Sequence, residues 1–233
     1  EGAVEDTALV VVTEDGDEFA TADFSVRVDG KAPNVLIERD ITGEWVRDSL
    51  QLSGTISDNL ELRDVSVAVN GKVVLTPLVS GGGEATARLT DVPFSVDLPL
   101  SDVPEGDLTL SVRATDQAGF QTVVDYLLRR DVTPPAVRQL SPEAGASVNG
   151  LLTFSGIATD NGNVDLVEFS GDGVEFAPVT GSSLFNSEID LNRFSDTVDA
   201  IVYRITDEAG NVTLYNPVLN IDPESDRPVV EMQ

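Results

Sequence analysis

Acidic and amide side chains recur at matching places in two repeated stretches of this chain. An Asp-Asn pair follows an alternating apolar run twice, the turns TDQAG and TDEAGN each carry an aspartate, and a further aspartate stands four residues before a proline in both copies. Carboxylate and amide oxygens are the ligands that calcium prefers in proteins, usually six to eight of them. We therefore treat this set as candidate calcium ligands: Asp29, Asp58, Asn59 and Asp116 in the first copy, and Asp131, Asp160, Asn161 and Asp207 in the second.

A second interpretation of the same residues needs no metal. Asp and Asn are common in turns because their side chains accept hydrogen bonds from nearby backbone amides. Both interpretations stay open from the sequence. They differ in one observable, because only the metal interpretation predicts that calcium raises thermal stability and that a chelator lowers it.

The composition excludes several classes of function. The 233 residues include 41 acids and 14 bases, for a formal charge of −27, and contain neither histidine nor cysteine. Such a charge repels nucleic acid and anionic membranes and attracts cations, so we expect either a high-salt environment or bound divalent ions. Without histidine or cysteine the chain has no Ser-His triad, no thiolate chemistry and no disulfide. No apolar run approaches the roughly 20 residues that cross a bilayer, and we expect a non-catalytic chain without nucleic-acid partners or membrane insertion.

The apolar pattern predicts strands rather than helices. Leu50, Leu52 and Ile56 alternate with polar residues, which is the period-two pattern of a half-buried strand. Further alternating runs end at Asn70-Gly71 and Asp172-Gly173, both of which suit a type I′ hairpin turn. The two copies align with a shift of 102 residues (58 to 160) and later of 91 (116 to 207), and the difference falls at a glycine-rich loop, residues 81–83. We predict an all-β fold of tandem sandwiches.

The repeat also predicts how the chain is divided. Residues 1–32 resemble the last hairpin of a preceding module, 33–131 and 132–223 are two full modules, and 224–233 are a linker with the first strand of a following module. We expect the chain to be part of a longer tandem array. The opening hairpin would then pack against the next module, against another chain that completes it, or against strands of its own module.

The motifs resemble the bacterial immunoglobulin-like (Big-type) repeats of surface adhesins and secreted multidomain proteins. They are LSGTISDN with LTFSGIATDN, the turns TDQAG with TDEAGN, and the Asp-x-x-x-Pro linkers. Phe120 departs from the pattern, since many copies carry asparagine there, as Asn211 does. The resemblance implies immunoglobulin-like sandwiches in a bacterial extracellular, cell-surface or periplasmic protein. It implies a stalk or adhesive segment, or alternatively an accessory module of a polysaccharide-active enzyme, with an unidentified protein or glycan partner besides the neighbouring modules.

The resemblance also implies where the candidate ligands lie. In an immunoglobulin-like sandwich, the loop between the second and third strands and the last hairpin loop lie at the pole where the module begins. The preceding linker enters at that pole. We therefore expect Asp58, Asn59 and Asp116 to approach Asp29, and their counterparts to approach Asp131, so that calcium would stiffen each joint.

Two further features have competing interpretations. Trp45 is the only tryptophan, and it could stack on a sugar ring or pack against the edge of a sandwich. Arg129-Arg130 is a small basic group that we expect to pair with nearby acids.

Overall fold

The structure, a computed structural model, describes residues 4–12, 19–75, 91–193 and 201–221, with side chains over 28–75, 91–192 and 201–221. These residues form strands and one short 3-10 turn, Leu191–Arg193, which confirms the predicted all-β class of immunoglobulin-like sandwiches. None of the described segments forms a helix of the length and apolarity that spanning a membrane requires. The strands are β1 (Val4–Val12), β2 (Phe19–Arg27), β3 (Asn34–Ile37), β4 (Trp45–Val46), β5 (Ser49–Ser57), β6 (Leu62–Val69), β7 (Lys72–Leu75), β8 (Asp91–Pro99), β9 (Gly106–Asp116), β10 (Gln121–Arg130), β11 (Ala136–Ser141), β12 (Ala146–Val148), β13 (Leu151–Thr159), β14 (Val164–Ser170), β15 (Ala177–Pro178), β16 (Leu184–Asp190), β17 (Val202–Asp207), β18 (Val212–Tyr215) and β19 (Leu219–Ile221).

The chain forms two compact units. The first contains Glu1–Glu44, Ser49–Val103 and Asp107–Arg129, and the second contains Trp45–Asp48, Pro104–Gly106 and Arg130–Gln233. Two short segments, around Trp45 and around Glu105, therefore group with the second unit although their flanking chain belongs to the first. Strands β1 and β2 form a separate antiparallel pair.

The first set of strands forms one three-stranded and one five-stranded sheet. The orders are β3-β5-β8 and β4-β10-β9-β6-β7, so short strand β7 lies at an edge. Leu50, Leu52 and Ile56 on β5 are at most 3% exposed, as the alternation predicts. On the facing sheet Val67 and Val112 are completely buried. Full burial of each such side chain contributes about 1.5–3 kcal/mol to folding.

The second set repeats this arrangement with a broken last strand. The orders are β11-β13-β16 and β15-β14-β17-β18, with a parallel pair of β12 and β19 beside them. Pro217 follows β18, and β19 begins two residues later. Since proline lacks the backbone N–H that a central strand needs, the ladder stops there. Phe154, Phe185 and Tyr203 are fully buried between the sheets, and the rings of Phe154 and Tyr203 stack at 4.7 Å.

A glycine opposite a phenylalanine recurs in both three-stranded sheets. Gly54 pairs with Phe94 across β5 and β8, and Gly156 pairs with Phe185 across β13 and β16. A Cβ atom on Gly156 would lie 2.5 Å from Cζ of Phe185, and one on Gly54 would collide with the carbonyl oxygen of Leu36. The glycines therefore provide space for the ring and the neighbouring strand.

One of the two predicted hairpin turns is confirmed and the other is wrong. Asn70 and Gly71 both have positive φ, 49° and 77°, as a type I′ turn requires. Gly173 has a φ of +74°, but Asp172 is not in the left-handed region. Instead Oδ1 of Asp172 accepts hydrogen bonds from the backbone N–H groups of Val174 and Glu175, at 2.8 and 2.9 Å, and these bonds close a longer connection.

Some sequence predictions fall outside the described residues. They concern the glycine-rich loop at residues 81–83 and the linker and strand predicted for 224–233.

Candidate metal centres

The predicted aspartates come together in two clusters, one in each unit. In the first cluster, one carboxylate oxygen from each of Asp29, Asp58 and Asp116 lies within 4.8 Å of the others. The second cluster consists of Asp131, Asp160 and Asp207, and one carboxylate oxygen from each again lies within 4.8 Å of the others. Asn59 and Asn161 join them, because Nδ2 of each donates to Oδ1 of the linker aspartate, at 3.1 Å to Asp29 and 3.2 Å to Asp131.

The strands of the sandwich place these side chains. Asp58 directly follows β5, Asp116 is the last residue of β9, and Asp29 lies in the segment between β2 and β3. β9 pairs with β6, and the partner of Asp116 across that ladder is Leu62, at the start of β6. The loop between β5 and β6 and the end of β9 therefore meet at one end of the sheet, where the linker also passes.

Backbone amides hold one oxygen of each carboxylate in the first cluster. Oδ2 of Asp58 accepts from the N–H groups of Leu60 and Glu61, at 2.9 and 3.0 Å. Oδ1 of Asp116 accepts from Gly119 and Phe120, at 2.7 and 2.8 Å. These are the turn contacts that the metal-free interpretation predicts, and they fix the orientation of each carboxylate.

The second cluster repeats the same contacts. Oδ2 of Asp160 accepts from the N–H of Gly162 at 2.8 Å, and Oδ1 of Asp207 accepts from the N–H of Asn211 at 2.8 Å. In the linker, Oδ1 of Asp131 accepts from the N–H of Thr133 at 2.9 Å. The two clusters are thus built by the same local rules.

The turn contacts leave the second oxygen of four of the aspartates without a partner. Among the described residues, five buried side-chain polar atoms lack a hydrogen bond, and all five belong to these clusters. All five are acceptors, since four are oxygens of ionised carboxylates and the fifth is the amide oxygen of Asn59. They are Oδ1 of Asp58, Oδ1 of Asn59, Oδ2 of Asp116, Oδ2 of Asp131 and Oδ1 of Asp160.

The clusters are electrostatically unfavourable without a cation. Two unit charges about 4 Å apart repel by about 4 kcal/mol at an effective dielectric constant of about 20. Asp116, Asp131 and Asp207 are at most 2% exposed, so water screens them little. Burial raises the pKa of Asp131, and the neighbouring carboxylates of Glu105 and Asp160 raise it further. A bound divalent cation would relieve both the repulsion and the unpaired oxygens.

The clusters differ at the position where Phe120 replaces asparagine. In the second cluster, Nδ2 of Asn211 donates to Oδ2 of Asp207 at 2.9 Å and to the backbone oxygen of Asp131 at 3.2 Å. In the first cluster, Phe120 is 44% exposed and Oδ2 of Asp116 has no partner. The asparagine amide therefore satisfies an oxygen that the phenylalanine leaves unpaired.

The sequence analysis missed Glu105, which is linked to the second cluster by hydrogen bonds from Thr133 and Asn161. Oε1 of Glu105 accepts from Oγ1 of Thr133 and from Nδ2 of Asn161, both at 2.8 Å. The hydrogen bond from Thr133 lowers the pKa of Glu105 the most, and the contact with Asp131 lowers it further. The sequence analysis did not consider this residue because it lies outside the repeated motifs, although the shift of 91 residues places Asp196 at the same position of the second copy.

Trp45 and the arginine pair have structural roles. Trp45 is half-buried, and a Cβ atom on Gly162 would lie 3.0 Å from its ring, which favours the packing interpretation over an exposed sugar platform. Arg129 pairs with Asp107 at 3.0 Å, as expected. Arg130 is instead buried, and its Nε donates to the backbone oxygen of Arg47 at 3.1 Å.

Comparison with known proteins found similar solved structures and one family model. The chain is similar to the fibronectin(III)-like modules of Clostridium thermocellum CbhA, at 16% identity and a TM-score of 0.46, over 86% of this chain and 100% of that one. It is also similar to a 1.5-MDa bacterial ice-binding adhesin, at 18% identity and a TM-score of 0.39, over 94% of this chain and 74% of that one. No curated protein matches the sequence significantly. Residues 135–213 match the bacterial Ig domain family, which confirms for the second unit the immunoglobulin-like module that the repeat motifs predicted.

Proposed function

We propose that this chain is a non-catalytic structural segment, a stalk or spacer, of a bacterial cell-surface or secreted protein, in which calcium fixes each linker to the sandwich that follows it. The tandem sandwiches and the match of residues 135–213 to the bacterial Ig domain support the structural role. The absence of histidine and cysteine from the sequence also favours a role without catalysis.

One observation carries the calcium proposal. The five unpaired buried polar atoms of the described residues are all acceptors, and all lie in the two clusters. A buried acceptor without a partner costs about 1–3 kcal/mol, and more if it is charged. In Asp58, Asp116, Asp131 and Asp160, turn formation accounts for the paired oxygen but gives no reason to bury the unpaired one.

The chemistry of the ligands favours calcium over other cations. The clusters offer carboxylate and amide oxygens from loops, without nitrogen or sulfur, which suits a hard cation. Magnesium requires a near-ideal octahedron and tends to keep several water molecules, whereas calcium accepts six to eight oxygens in a flexible geometry.

A cation in these clusters would act on the linkers. Asp29 and Asp131 each lie in a linker, a few residues before the first strand of a sandwich. The other ligands come from loops of that sandwich, so a shared cation would cross-link the linker to it. A chain of such modules would resist bending and pulling better with calcium than without.

The test is thermal unfolding with calcium and with a chelator. At free calcium about 100 times the dissociation constant, one occupied site adds about 2.7 kcal/mol. For a domain of about 100 residues this corresponds to a rise in Tm of more than about 10 °C. Sodium chloride at matched ionic strength and magnesium at the same concentration serve as controls. Equal Tm values in calcium, in chelator and in sodium chloride would eliminate the calcium proposal and leave only the turn-forming role.

The architecture of the complete protein tests the structural role separately. Many further modules of this type favour a stalk, whereas an adjoining catalytic domain would favour an accessory module of an extracellular enzyme.

A further inference from the structure

We propose that Glu105 is a fourth carboxylate ligand of the cation in the second cluster, so that this cation also binds the loop between β8 and β9. The proposal rests on the calcium function above and extends it to a residue outside the repeated motif. Pro104–Gly106 belongs to the same compact unit as Asp131, Asp160 and Asp207.

The position of Glu105 is set by contacts with the cluster. Its Oε1 accepts from Asn161, whose amide also donates to Asp131 at 3.2 Å. The same oxygen accepts from Oγ1 of Thr133 at 2.8 Å. Asn161 and Thr133 thus hold the carboxylates of Glu105 and Asp131 beside each other.

The unpaired oxygen of Asp131 indicates a ligand at this place. Asp131 is 1% exposed, and its Oδ2 has no hydrogen-bond partner. Two carboxylates at hydrogen-bonding distance repel each other when both are ionised. Thr133 and Asn161 supply donors to one oxygen of each carboxylate, and neither supplies one to Oδ2 of Asp131. A cation between the two carboxylates would satisfy that oxygen and remove the repulsion.

Asn211 gives a reason for the extra ligand. Its amide donates to Oδ2 of Asp207 and to the backbone oxygen of Asp131, so two oxygens of the second cluster are already engaged. The first cluster has three unpaired buried oxygens, whereas the second has two. Glu105 would therefore restore an oxygen that Asn211 withdraws.

The test uses the complete chain with the first cluster disabled. The substitution Asp58→Asn removes one cation-binding oxygen from the first cluster, while the amide oxygen can still accept from Leu60 and Glu61. Calcium titration by calorimetry then reports binding at the second cluster. In that background, Glu105→Gln should raise the calcium dissociation constant at least about ten-fold, since affinity follows the number of charged ligands. Glu105→Asp keeps the charge but shortens the side chain by one methylene group, so it should weaken calcium binding less than Glu105→Gln does. Fluorescence of Trp45, the only tryptophan, gives a second readout because its ring lies against Gly162.

Glu208→Gln is the matched control, because Glu208 directly follows Asp207 and its Oε2 accepts from Asn163 outside the cluster. It removes the same charge and should change the dissociation constant less than about two-fold. In chelator, Glu105→Gln should unfold at a Tm equal to or above that of the parent, since it removes repulsion; a lower Tm would indicate a purely structural role and overturn the proposal. Equal calcium affinities of Glu105→Gln and Glu208→Gln, or wild-type affinity of Glu105→Asp, would overturn the ligand role of Glu105 alone. A wild-type chain that binds no calcium would overturn the proposed function as well.

Discussion

At the scale of single residues, four aspartates of the clusters use one oxygen for a backbone hydrogen bond and leave the other buried without a partner: Asp58, Asp116, Asp131 and Asp160. In Asp58, Oδ2 caps backbone N–H groups, and Oδ1 is buried without a partner. Asp160 has the same division, with Oδ2 bound to Gly162 and Oδ1 unpaired. Because the backbone already orients the carboxylate, little conformational entropy remains to be lost when a cation binds.

The exchange of Phe120 for asparagine gives a prediction for the first cluster. The turns at Asp116 and Asp207 have matching backbone hydrogen bonds, since the N–H of each aspartate donates to the carbonyl four residues later at 3.1 Å. Phe120→Asn should therefore place an amide donor at Oδ2 of Asp116. We expect the unfolding free energy in chelator to rise by about 1 kcal/mol and calcium to bind the first cluster more weakly. Urea unfolding and calcium calorimetry measure the two effects.

Phe120→Leu is the control for this exchange, because it changes the exposed apolar group without adding a donor. It should leave the calcium affinity unchanged. If Phe120→Asn and Phe120→Leu behave alike in chelator, the amide of Asn211 has no role in balancing the charge of Asp207.

Part of the site could be predicted from sequence, and part could not. The six aspartates and two asparagines were identifiable because they recur with constant spacing in both copies, and the fold brings each set together. Glu105 was missed because it lies outside the repeated motifs, although the shift of 91 residues places Asp196 at the same position of the second copy. The partner role of Asn211 was also missed, since pattern alone does not show which oxygen an amide faces.

At the scale of elements, the paired glycine and phenylalanine set how closely strands approach. Gly156→Ala should destabilise the second sandwich by about 1–3 kcal/mol, because the added methyl group overlaps the ring of Phe185. Gly30→Ala is a matched control, since no atom lies within 4 Å of the added methyl group there. Chemical unfolding measures both changes.

A double variant separates the ring from the backbone. Phe185→Leu removes the ring that the methyl group would meet, so it should recover part of the loss caused by Gly156→Ala. Strictly additive losses in the double variant would show that the glycine is needed for another reason.

The strand pattern could be predicted because burial here follows the period of two, as in Leu50, Leu52 and Ile56. The turn at Asn70-Gly71 was predictable because both residues tolerate positive φ. The turn at Asp172 was not, since Oδ1 of Asp172 and Oγ of Ser170 bind several backbone N–H groups there. Side-chain capping of this kind competes with a two-residue turn.

At the scale of the whole molecule, the two clusters should act as independent centres with one cation each. Asp58→Asn should abolish or strongly weaken one of two calcium sites, Asp160→Asn the other, and the double variant both. Both substitutions keep an oxygen for the backbone cap, so the sandwiches should still fold. Calorimetry of each variant gives the stoichiometry, and loss of both sites in either single variant would contradict independence.

Strands β7 and β15, which each lie at one edge of a sheet, are short, and this has a consequence for crowding. Strand β7 has four residues, and β15 has two, of which Pro178 offers no N–H. A long open strand edge is a template for aggregation, and short edges or prolines suppress it. Successive modules of one polypeptide are present at a very high local concentration, so long exposed edge strands of neighbouring modules would pair with each other. At the edges formed by β7 and β15, a neighbouring module therefore finds too short a strand to pair with, so the four- and five-stranded sheets resist fusion on that side.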